Sequence, residues 1–131
     1  MTRKDHLFQF AAGEIARAAQ QEADHHEGRR LWWSAEYERA VAIVQATAGV
    51  KIIRQQVTGG ERVDVAVDYG DPIAYRRMQE AFEKIQAHRK AAEAYRSDAV
   101  VYGTQGDRVY EVGTEDVAYF RLAAQPREDD R

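Results

Sequence analysis

The residues of this chain with the types and spacing to bind a metal ion form one cluster, Glu22-Ala23-Asp24-His25-His26-Glu27. On a helix, positions three apart share a face, and Glu22 with His25 makes the Glu-x-x-His pairing that supplies ligands in helical di-metal carboxylate sites. A metal-dependent enzyme built on Glu22, His25 and His26 is one reading. Such a site needs a second Glu-x-x-His, and neither His6 nor His88 has a glutamate three residues before it. A polar helix end beside Gly28 accounts for the same residues. Other chemistry is thinner still. The chain has no cysteine, so disulfides, thiolate zinc sites and a Cys nucleophile are excluded. Its only serines, Ser34 and Ser97, lie outside any Gly-x-Ser-x-Gly turn. Gly59-Gly60 lacks the Gly-Lys-Ser/Thr ending of a phosphate loop. Glu36 and Glu38 fall on different helix faces, and His88 reads as a boundary residue of an apolar stripe. No catalytic residue and no cofactor are expected.

Binding chemistry is better represented. Lys51, Arg54 and Arg62, with Gln55 and Gln56, make one segment basic and amide-rich, and a two-stranded ribbon of that kind can enter a major groove. A nucleic-acid-binding regulator using Lys51, Arg54 and Arg62 is therefore an alternative. Against it, the 19 basic residues are outnumbered by 22 acidic ones, and the two signs interleave. A bulk polyanion binder depends on a basic excess. Protein binding meets less resistance. Trp32 and Trp33 are adjacent on a helix, about 100° apart around its axis, so both cannot enter one small core. Trp32, Trp33, Tyr37 and Arg54 are the expected partner-contacting residues, since aromatics and arginine anchor interfaces.

These groups must be positioned by a modest set of elements. At 131 residues, 44% hydrophobic and 31% charged, the chain is expected to form a single α+β domain over residues 1–125 with a solvated tail at 126–131. Apolar residues from Leu7 to Ala19 recur at helical spacing, predicting a helix over 5–27. After Gly28 a second helix is expected over 30–48, carrying Trp33, Tyr37, Ala40, Val41, Val44 and Ala48 on one stripe, with one bent helix through the lone Gly28 as the alternative. Strand-forming runs at 50–57 and 62–69 flank Thr58-Gly59-Gly60-Glu61 and predict a β-hairpin. With Gly59-Gly60 as its turn, Val57 faces Arg62, Ile52 faces Val67, and Arg54 stands opposite Val65 on the apolar face. Asp71 as N-cap and Pro72 as first residue open a long amphipathic helix to about Ser97. A second short hairpin over 99–103 and 108–112, with 99–102 as the end of the long helix for an alternative, and a short helix over 115–122 complete the order α-α-β-β-α-β-β-α. An antiparallel sheet with helices packed on one face is the simplest way to bury these stripes.

The stretch 50–86, with Thr58-Gly59-Gly60-Glu61 at its turn and Asp71-Pro72-Ile73-Ala74-Tyr75 at its helix start, resembles in layout the small phage head–tail joining proteins of the lambda type. The resemblance covers about a quarter of the chain, is topological, and implies a virion assembly or phage accessory role. The leading expectation is a non-catalytic interaction protein: an assembly, adaptor or inhibitor module with a protein partner or self-association. No apolar run can span a bilayer, and the amphipathic start is unlike a secretory signal, so a cytoplasmic location is expected, or the virion if phage-encoded.

Overall fold

The structure, a computed structural model, describes residues 7–122, with backbone only for residues 50–53. The tail expected at 126–131 lies outside the described residues. In chain order the elements are β1 (Leu7–Ala11), α1 (Ala12–Thr47), β2 (Gly49–Val57), β3 (Gly60–Asp68), α2 (Pro72–Gly103), β4 (Val109–Gly113) and α3 (Thr114–Phe120). The class is α+β with long helices, as expected. Two antiparallel two-stranded sheets are present, β1 with β4 and β2 with β3. The chain divides into two compact units, residues 1–29 with 87–131, and residues 30–86.

Three boundaries differ from the sequence expectation. The two N-terminal helices are one, because α1 runs through Gly28. A helix-interior glycine costs about 1 kcal/mol relative to alanine, which a 36-residue helix absorbs. Arg29 and Arg30 offer no capping side chain to start a new helix there. A Cβ built on Gly28 meets nothing within 4 Å. Gly28→Ala is therefore expected to stabilise the protein by about 1 kcal/mol, read as a higher urea midpoint with an unchanged slope. Second, the start of the expected first helix is strand β1, where Phe8 pairs with Val112 and Phe10 with Tyr110. Third, 99–103 belongs to α2, so the second hairpin does not form and β4 takes β1 as its partner. Thr104 ends α2 by donating its hydroxyl to the Val101 carbonyl at 2.7 Å.

The first unit closes around Ile15, Ala19 and Ala23 of α1, Tyr95 of α2, and Val112, Val117, Phe120 and Leu122. Small residues on α1 admit a stack of rings against it. Tyr95 lies 4.6 Å from Tyr119 in a stacked pair and donates its hydroxyl to the Tyr119 carbonyl at 2.6 Å. Burial, then the nearby Asp98, pushes the Tyr119 phenol above its ordinary value. In the second unit, Trp33 packs with Ala81 and Ile85, and Tyr37 leans on that cluster.

Candidate interaction surface

Hairpin β2–β3 grows out of two locally determined junctions. At its tip the turn residues are Thr58 and Gly59, because Val57 pairs with Gly60. Gly59 at φ 96° supplies the left-handed residue this turn requires. The expected pairing is therefore displaced by two positions. Arg54 pairs with Val63 rather than Val65, and Val67 pairs with Val50 rather than Ile52. A two-residue displacement preserves the pleat, so the assignment of residues to faces survives. At its base Asp68 accepts from the Gly70 amide at 3.0 Å, and Asp71 caps α2 by accepting from the amides of Ile73 and Ala74.

One face of the ribbon carries Val63, Val65 and Val67, whose strand partners are Arg54, Ile52 and Val50. These valines are 52%, 67% and 64% exposed. The sequence expectation had them inward, beneath helices. The other face is mixed, with the Ile53 position, Val57 and Ala66 among Gln55, Arg62 and Asp64, and there Arg62 pairs with Asp64 at 3.2 Å. Arg54 and Arg62 thus fall on opposite faces and do not form one basic surface; the Lys51 side chain lies outside the described residues. At the foot of the ribbon Tyr69 is exposed and meets Tyr75 at 5.7 Å.

The aromatic trio on α1 is split by burial. Trp33 is 3% exposed and Trp32 43% exposed, their rings edge to face at 5.0 Å. Tyr37 is half-buried, 6.4 Å from the Phe82 ring. Arg77 lies 4.7 Å over Trp33 and pairs with Glu36 at 3.1 Å. Arg77, and then Arg39, hold the Glu36 carboxyl below its usual range. The contribution of that pairing is present above the ordinary carboxylate pKa and is lost only as pH falls through the lowered one. Beside it an open groove is lined by Ala40, Ile43, Ile73 and Ala74.

The histidine cluster is arranged differently from a metal site. With α1 continuous, Glu22 and His26 lie one turn apart in mid-helix rather than near a helix end. Glu22 is buried, and its carboxylate faces the Arg121 guanidinium at 3.5 Å. His26 turns to His88, missed as a partner because it lies 62 positions away in sequence; their Nδ1 atoms are 2.8 Å apart, one donating and the other accepting. His25 meets His26 edge to face. Among the described residues no group of three or more His, Cys, Asp or Glu side chains is placed to hold a metal ion. Nor, among them, is any helix long and apolar enough to cross a membrane.

Comparison with family models, with curated proteins and with solved structures finds no match.

Proposed function

We propose that this chain is a non-catalytic protein-interaction module, of the assembly, adaptor or inhibitor kind, that docks through the valine face of the β2–β3 hairpin. The exposure of Val63, Val65 and Val67 side by side carries this reading. A two-stranded ribbon is marginal by itself in water, and contiguous exposed apolar side chains mark contact surfaces. Covering the three valines would return about 1 kcal/mol each, since each is already partly sheltered. Arg54 on the same face and the exposed Trp32 supply the residue types that anchor interfaces. Residues 30–86 run helix, hairpin, helix, an order that resembles the phage head–tail joining layout and favours assembly among the three kinds.

Val65→Asp places a charge in the middle of the face without touching a core. Its unfolding free energy is expected to stay within about 0.5 kcal/mol of wild type. Affinity capture from the cells that encode the chain, with size exclusion of each bait alone, tests the reading. Wild type should hold a protein partner or a second copy at least about tenfold more strongly than Val65→Asp does. Equal retention by both baits, or a wild type that holds neither, overturns it.

A further inference from the structure

We infer that the occupant of the valine face is a second copy of this chain, bound by a two-fold contact in which Arg54 of each copy meets Glu61 of the other. This rests on the docking face proposed above and adds its partner. The pairing pattern places Arg54, through Val63, and Glu61, through Gln56, on the same face as Val65 and Val67, in adjacent rows near the tip. One charge stands on β2 and its opposite on β3. Both are exposed, and among the described residues neither side chain enters an ion pair or hydrogen bond. On the opposite face Arg62 and Asp64 behave otherwise, since they satisfy each other.

A two-fold rotation along the ribbon lays β2 of one copy over β3 of the other. Valine rows then meet valine rows, and each Arg54 stands beside the row that holds Glu61 of the second copy. The face thus carries its own electrostatic complement, which is what an isologous contact demands, because the same patch must serve as both partners. A heterologous partner would need to bring an acid for Arg54 and a base for Glu61 in this same spacing. Complementary charges of this kind set register and partner choice more than raw affinity.

Sedimentation equilibrium of the full chain, wild type against Arg54→Glu, Glu61→Arg and the double reversal, tests the inference. Circular dichroism confirms that each variant is folded. Wild type should show a concentration-dependent dimer. Each single reversal places like charges together twice in the contact and should weaken the dimer at least about tenfold, and the double reversal should bring it back. A wild type that remains monomeric at every concentration, or a double reversal no better than the singles, overturns the two-fold contact. If a monomeric wild type nevertheless holds a different protein that Val65→Asp releases, the docking reading stands and only the identity of the occupant falls. If neither association occurs, both fall.

Discussion

Gly70→Ala is expected to destabilise the protein by about 3 kcal/mol or more, lowering the midpoint of thermal unfolding by about 10 °C. Gly70 has φ 89°, where an alanine is strained by about 1–2 kcal/mol. Space adds to the strain. A Cβ there would lie 2.5 Å from Thr47 Oγ1, 2.8 Å from the Val44 carbonyl oxygen and 3.0 Å from the Ala48 nitrogen. Two of these are backbone atoms at the end of α1 and cannot swing aside. The third is a hydroxyl already committed, because Thr47 donates to the Ile43 carbonyl at 2.7 Å and accepts from the Asp71 amide at 2.8 Å. Pushing it away loosens the last turn of α1 and the capped start of α2 together. Gly59→Ala is the control, since its φ is also positive but a Cβ there meets nothing within 4 Å. It should cost only the backbone strain. Chemical denaturation of both variants decides the matter. A Gly70→Ala protein within 1 kcal/mol of Gly59→Ala would mean that this junction is looser than its distances.

The β2–β3 hairpin was legible because its information is local: alternating side chains and a glycine turn lie within twenty residues. Even the displaced register left Arg54 on the valine face, since only a one-residue slip exchanges faces. What covers that face was not legible. Val63, Val65 and Val67 alternate in the same way whether a helix of the same chain or another molecule lies over them. Strand β1 was misread for a different reason. Leu7, Phe8, Ala11, Ala12 and Ile15 fit a helical stripe, while the strand at Leu7–Ala11 exists through partners about a hundred positions away at Val109–Gly113. The same distance in sequence hid the meeting of His26 with His88. At Gly28 two readings stood, an end or a continuous helix, and the wrong one carried more weight: a glycine in a helical pattern suggests an end, but the absence of a capping residue after it was the stronger signal.

Adjacent tryptophans with opposite burial give the second large effect. Trp33→Ala is expected to cost about 3–5 kcal/mol, while Trp32→Ala costs no more than about 1.5 kcal/mol. Trp33 fills the space between α1 and the Ala81 and Ile85 positions of α2, where Ala81 has only a methyl group with which to close a cavity. Removing the ring also strips Arg77 of the surface beneath its guanidinium, leaving that cation only its carboxylate partners Glu36 and Glu80. Against a total stability that for such proteins is about 5–15 kcal/mol, the loss is a large fraction of what holds the protein folded. Trp32 gives up a half-exposed ring and, with it, its edge-to-face contact with Trp33. The indole of Trp33 also carries a liability, for its Nε1 is buried with no hydrogen-bond partner. A buried donor left unsatisfied costs about 1–3 kcal/mol. Trp33→Phe removes that donor while keeping most of the ring, so its penalty should be under half that of Trp33→Ala. Urea unfolding of the three variants measures these differences. The emission of Trp32→Phe, which retains only Trp33, should lie to the blue of Trp33→Phe, which retains only Trp32. Equal penalties for the two alanine variants, or the opposite order of emission, would place the wrong tryptophan in the core.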